Sequence, residues 1–271
     1  MKQVRLAFSG SGFLAGIHAG AAGAFLDNGY QIVEIAGTSG GSICAGAVAV
    51  GMRTQDLYNL AVRSDMSGLI NGGIWSYLRS GGWDRGNALY AYLDKAFGGK
   101  TVGQTSVPCQ IVSTDVKGNE PFVFSTVSTP DVPLALACRA SSAVPFVYAP
   151  VDYQGKFLVD GGIMDNMPAD RLTIDGIPRY GIDVDSPDTF ETEPVWKYAQ
   201  SLIQLLLSSS ENATIRGASQ TGAQIIKVPS GGAYFLDTKM TTQARDRLFQ
   251  AGYNAVKADL PKLSASIGGT G

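Results

Sequence analysis

Apolar residues along this chain come in two rhythms, and their alternation predicts the fold class. Val4-Arg5-Leu6-Ala7-Phe8 and Gln31–Ala36 are short and almost uninterrupted, like strands buried on both faces. Each is followed by a glycine turn and an apolar stretch of helical length, from about Ala15 to Asp27 and from about Gly40 to Val50. Strand, turn and helix repeated in this way mark a parallel sheet with crossover helices. Further along, Leu89, Leu93 and Phe97 recur at helical spacing and predict a helix over Asn87–Phe97. Ile111–Thr114 and Phe122–Ser125 read as strands around a Lys117-Gly118-Asn119 turn, and Val132–Ala140 as a short helix. Lys156–Val159 and Arg179–Val184 read as strands, and Val195–Ser209 and Thr241–Asp259 as helices. Gly68–Gly86, rich in Gly and Trp, reads as an irregular excursion. No repeat, proline-rich linker or charge block interrupts the pattern, so residues 1–271 are expected to form one α/β domain.

Composition narrows the function. Hydrophobic residues make up 45% of the chain and charged residues 16%, with a net charge of −2, so no electrostatic partner such as a nucleic acid is expected. Cys44, Cys109 and Cys138 sit in apolar segments without CxxC or paired His/Cys spacing. They read as free buried thiols of a reducing compartment, and no metal site is expected. A strand begins at once, with no secretory signal before it, which leads to the expectation of a cytoplasmic or peripheral membrane location. The uncharged window between Arg5 and Asp27 is long enough to span a bilayer, but Ser9-Gly10-Ser11-Gly12 would break the helix. The run from Ile35 to Met52 fails similarly at Gly37–Gly41. Leu202, Leu205 and Leu206 read as a core-facing stripe rather than a membrane anchor.

Three short motifs carry chemistry. Gly37-Thr38-Ser39-Gly40-Gly41 fits G-x-S-x-G between an apolar strand and an apolar helix, the context of a nucleophile elbow. A serine hydroxyl needs a base. His18 is the one histidine and lies inside the first helix, where a lone histidine usually packs, so a carboxylate is the better candidate. Asp160 ends a short strand, followed by Gly161-Gly162, at the kind of strand end where ligands bind in open α/β sheets. Asp165, with Asn166 and Pro168 behind it, looks like turn chemistry. Gly10-Ser11-Gly12, between the first strand and its helix, would present backbone N–H groups to a developing oxyanion. A competing reading takes Gly10, Gly12 and Gly16 with Glu34 as a dinucleotide loop, which leaves Ser39 and Asp160 without a role. Gly98–Thr101 resembles a phosphate loop but has Asp94 where its first glycine should be.

The three motifs in this order resemble those of the patatin-like phospholipases. So do "GWDRGNALYAYL", "PCQIVSTDVKGNEPFVFST", "ACRASSAVPFVYAPVDYQGKFLVDGG" and the C-terminal "YFLDTKMTTQARDRLFQAGYNAVKADL". The resemblance implies a three-layer α/β/α fold with a mostly parallel central sheet. It also implies a Ser39–Asp160 dyad, an oxyanion loop at Gly10, Ser11 and Gly12, and no metal or organic cofactor. The implied substrate is a long-chain acyl ester, a phospholipid or lysophospholipid, and membrane contact would be peripheral. Two positions depart from the family: Ser11, where glycine is usual, and Leu14, where arginine or lysine is usual. If position 11 needs a positive φ, serine is strained there. The departures open the alternative of a catalytically weak or silent lipid-binding protein on the same fold. "GLINGGIWSYLRSGGW", with Leu69, Ile74, Trp75, Tyr77 and Trp83, could serve as a lid or a lipid contact, or pack in the core.

Overall fold

The computed structural model describes residues 2–73, 76, 79–185, 195–235, 237 and 239–267. Strand β1 (Lys2–Phe8) leads into helix α1 (Gly16–Asp27), and β2 (Tyr30–Thr38) into α2 (Gly40–Ala49), as the alternating rhythms require. A short α3 (Thr54–Tyr58), β3 (Gly82–Asp84) and α4 (Asn87–Phe97) follow. Next come β4 (Cys109–Asp115), β5 (Glu120–Ser125), α5 (Leu134–Ser141), β6 (Phe146–Tyr148), β7 (Val151–Tyr153) and β8 (Lys156–Asp160). The chain closes with β9 (Arg179–Asp185), α6 (Val195–Gln220), β10 (Gln224–Pro229) and α7 (Thr242–Ile267).

The main sheet runs in the order β10-β9-β1-β2-β4-β8-β7, with β5 paired to β4. From β10 to β4 every pairing is parallel, and β5, β8 and β7 add antiparallel pairs. Side chains alternate across the sheet. Val4, Leu6 and Phe8 enter a large core with α1, α2, α4, α5 and α7, while Ala7 and Ala36 face a smaller cluster with Met167, Ala169, Leu172 and Ala218 of α6. Both faces are covered, which makes three layers. Gly20 and Gly252 let α1 and α7 pack backbone to backbone: a Cβ on either would lie 1.9 Å from a carbonyl oxygen of the other helix. Among the described residues no helix is long and apolar enough to cross a membrane.

Several expectations need correction. Within the Gly68–Gly86 stretch regular structure does form: β3 pairs with β6, and Asp84 accepts the Asn71 and Gly86 N–H groups. Leu69 is buried and Trp83 exposed, while Ile74, Trp75 and Tyr77 lie outside the described residues. Helix α6 continues past Ser209 to Gln220. Its Leu202, Leu205 and Leu206 are not a core stripe, being 42%, 53% and 53% exposed; the buried face is carried instead by Ile203 and Ala218.

Candidate active site

Strand β4 brings the two motif side chains together. Along one edge, β2 runs parallel to its first half and ends with Thr38 opposite Val112. Strand β8 runs antiparallel to its second half and ends with Asp160 opposite Ser113. The two strands thus approach head to head and stop one residue apart. Ser39 follows β2 directly, and its Oγ donates to Asp160 Oδ2 at 2.6 Å. After Asp160 the chain crosses over β4, where a Cβ on Gly161 would lie 2.1 Å from the Val112 carbonyl oxygen.

Ser39 sits at φ 51°, ψ −125°, a backbone region that costs a serine on the order of 1–3 kcal/mol. Its surroundings hold it there. The Ser39 N–H donates to Ser141 Oγ at 2.8 Å, and Ser141 Oγ donates to the Val112 carbonyl at 2.5 Å. Ser42 Oγ donates to the Ser39 carbonyl at 2.6 Å. Neither Ser141 nor Ser42 stands out in the sequence, because a serine near a helix end has many ordinary uses.

Asp160 is buried, and its Oδ1 accepts the Gly162 N–H at 2.8 Å. Burial pushes its carboxyl up to about 6, although the hydrogen bonds from Ser39 and Gly162 pull the other way.

The glycine loop divides its amides. Gly10 N–H donates to the Asn166 carbonyl at 3.0 Å, Phe13 N–H to the Phe235 carbonyl at 2.8 Å and Leu14 N–H to the Ser11 carbonyl at 3.0 Å. Among the described residues this leaves the Ser11 and Gly12 amides uncommitted. Gly10 therefore braces the loop instead of offering its N–H, which corrects its expected share in an oxyanion site. The positive φ falls on Gly12, at 53°, while Ser11 has φ −144°. The serine is accommodated without the strain its departure from the family suggested. Gly40, at the amino end of α2, is pressed against the loop: its Cβ would lie 2.9 Å from Gly12 N. The positive end of the α2 dipole thus faces the loop. Leu14 is buried, and Lys227 supplies a cation in the adjoining cleft.

The other candidates have structural roles. His18 Nε2–H donates to the Ser9 carbonyl at 2.9 Å, and burial pushes the ring down to about 3, so it stays neutral and braces the end of β1. Asp165 pairs with Arg171 in a turn. Glu34 accepts from Arg5 at 2.6 Å, Thr173 N–H at 3.0 Å and Gln110 at 3.0 Å. Buried and tied into the sheet by these three donors, Glu34 is not presented to a ribose, so the dinucleotide reading falls. The three cysteines are buried and unpaired.

Two cavities meet at Ser39. One, of about 80 Å³, is apolar and lined by Phe13, Ile43, Leu57, Leu60, Met66 and Leu89. The other, of about 230 Å³, is polar and lined by Asp160, Asn166, Asp185, Gln204, Glu211 and Lys227. Ser39 and Gly12 line both.

A serine at a strand–helix elbow, a buried carboxylate bonded to it and a two-sided cleft on a mostly parallel sheet define an α/β/α protein with a serine–aspartate site. The chain belongs to the patatin-like phospholipase family, whose description matches residues 6–173. It is 26% identical over 284 residues to an uncharacterised protein of Acanthamoeba polyphaga mimivirus, covering 95% of this chain and 94% of that one. An uncharacterised NTE family protein of Mycobacterium tuberculosis is 31% identical over 166 residues, 61% of this chain and 44% of its own length. Among solved structures, VipD of Legionella pneumophila superimposes with a TM-score of 0.65 at 18% identity, over 97% of this chain and 67% of that one. The type III effector protein ExoU does so with a TM-score of 0.55 at 15% identity, over 95% and 52%. These last two likenesses are of fold.

Proposed function

We propose that the protein hydrolyses carboxylic esters of phospholipids or lysophospholipids, with Ser39 as nucleophile and Asp160 as its base. The observation that carries this reading is the 2.6 Å hydrogen bond from Ser39 to Asp160 at the junction of an apolar and a polar cavity. Asp160 takes the Ser39 proton as Oγ attacks the acyl carbonyl. The resulting oxyanion is held by the Ser11 and Gly12 amides and the amino end of α2. Asp160 returns the proton to the departing alkoxide, leaving an acyl ester on Ser39. A water then attacks that ester, Asp160 accepts its proton, and Ser39 leaves as the restored hydroxyl. The acyl chain occupies the apolar cavity and the head group the polar one. Helix α6 borders the polar cavity and turns Leu202, Leu205 and Leu206 outward, so contact with the lipid surface falls to these residues.

The base must be ionised to act. With Asp160 at about 6, kcat/KM should rise with pH and reach half its plateau near pH 6. The same shift opposes stability. Asp160 holds its proton more tightly folded than unfolded, so stability present below 3.8 is lost as pH rises through about 6, by about 3 kcal/mol in all. Asp160→Asn should therefore melt no lower than the wild type at pH 7.5. Thermal melts at pH 4 and 7.5, alongside a pH–rate profile, check both statements.

The function itself is tested by product analysis on a mixed-lipid panel, with Ser39→Ala as control. Fatty acid release by the wild type and none by the variant is the expected outcome. Lipid retained without cleavage would leave a binding protein.

A further inference from the structure

We propose that Glu211 of α6 is a positioning residue for this site: it orients Asn166, and Asn166 locks the Gly10–Gly12 loop onto the turn that carries Asp160. The kinetic consequences rest on the hydrolase reading above; the geometry does not.

Asn166 belongs to both halves of the site. Its carbonyl accepts the Gly10 N–H at 3.0 Å. Its Oδ1 lies 2.2 Å from where a Cβ on Gly10 would be and 2.6 Å from where one on Gly162 would be. The side chain is thus wedged between the oxyanion loop and the turn that follows Asp160. What orients its amide is Glu211, whose Oε2 accepts from Asn166 Nδ2 at 2.5 Å. Two neighbours on α6 add a backbone grip: Ser210 Oγ accepts the Asn166 N–H at 3.2 Å, and Thr214 Oγ1 the Met167 N–H at 3.1 Å. They hold the chain, while Glu211 alone of the three fixes the side chain.

The chemistry around Glu211 explains why an acid serves there. Asp183 of β9 is buried beside it, and neither Asp183 oxygen accepts a hydrogen bond from a nitrogen or hydroxyl among the described residues. Lys227 of β10 approaches Asp183 only to 3.7 Å, and Asp185 and Ser9 are the other polar groups facing it. A buried carboxylate short of donors is costly, and beside the Ser9 hydroxyl a protonated Glu211 is the donor at hand. Burial and the neighbouring Asp183 push Glu211 up to about 8. One proton therefore serves the pair at neutral pH, and the single charge that remains faces Lys227. Loss of that proton sets two buried carboxylates against each other, drives α6 away from β9 and frees Asn166.

The test compares wild type, Glu211→Gln and Glu211→Ala by two independent readouts. One is amide hydrogen exchange of peptides spanning Ser9–Leu14, followed by mass spectrometry. The other is kcat and KM on p-nitrophenyl butyrate across the range from neutral to alkaline pH. Glu211→Ala should speed loop exchange about tenfold and lower kcat about 10- to 100-fold, with KM within about threefold, as expected of a displaced donor loop. Glu211→Gln keeps an acceptor for Asn166 and a donor for Asp183. It should recover kcat to within about tenfold of wild type and lack the fall in rate that wild type shows above about pH 8. Wild-type loop exchange and kcat in Glu211→Ala would overturn the proposal, as would an alkaline fall in Glu211→Gln equal to that of wild type. If Glu211→Ala does not fold, the pH profile of Glu211→Gln decides. A wild type inert on every ester would sink the hydrolase reading alone, and loop exchange would still decide the positioning claim.

Discussion

Ser39→Ala should lose ester turnover by at least about 10⁴-fold, because it removes the atom that forms the acyl-enzyme bond. The fold should survive. Alanine meets the same backbone strain as serine at φ 51°, and the Ser39 N–H keeps its bond to Ser141. Asp160→Asn should fall at least about 10³-fold, for a different reason. The amide matches the carboxylate in shape and can still accept the Gly162 N–H, but it cannot take the Ser39 proton. Turnover of a fluorescent lysophospholipid, measured beside circular-dichroism melts, separates lost chemistry from lost structure. Appreciable activity in either folded variant would refute the dyad. His18 offers no substitute base, since its Nε2–H is engaged by Ser9 and burial keeps the ring neutral.

The second large effect is expected at Gly12. A Cβ there would lie 2.2 Å from the Phe235 carbonyl oxygen, and φ is 53°. Gly12→Ala must therefore break the Phe13–Phe235 hydrogen bond or shift the loop by about an ångström, and either moves the Ser11 and Gly12 amides off the oxyanion position. A loss of about 10²- to 10³-fold in kcat is expected, as for removal of one oxyanion donor. Gly29→Ala is the matched control. Gly29 also has a positive φ, 77°, but nothing lies within 4 Å of its Cβ position. It should cost about 1 kcal/mol in a denaturant titration and leave kcat unaltered.

Much of this site is legible from the sequence, and the illegible part has a physical pattern. β1, α1, β2, α2 and α4 announce themselves because their apolar residues recur over long enough stretches to reveal a period. β3, β6 and β7 have three residues each, too few to display one. Ser39 and Asp160 are marked by the glycines their backbones require. Ser141 and Asn166 act on loops more than a hundred residues away in sequence, and a serine or asparagine in a turn carries no sign of its distant partner. The committed amide of Gly10 and the ordinary φ of Ser11 are hidden for a similar reason. Which amide is free, and which residue takes the positive φ, depends on how Asn166 and Phe235 dock on the loop. The outward leucines of α6 mislead because exposed and buried apolar stripes have the same period.

The most direct measurement is covalent. Reaction of the folded protein with a fluorophosphonate, followed by peptide mass mapping, should yield a single adduct on Ser39, and Asp160→Asn should slow its formation by about a hundredfold or more. Modification of a different serine, or lipid cleavage that continues with Ser39 unmodified and replaced, would contradict the assignment.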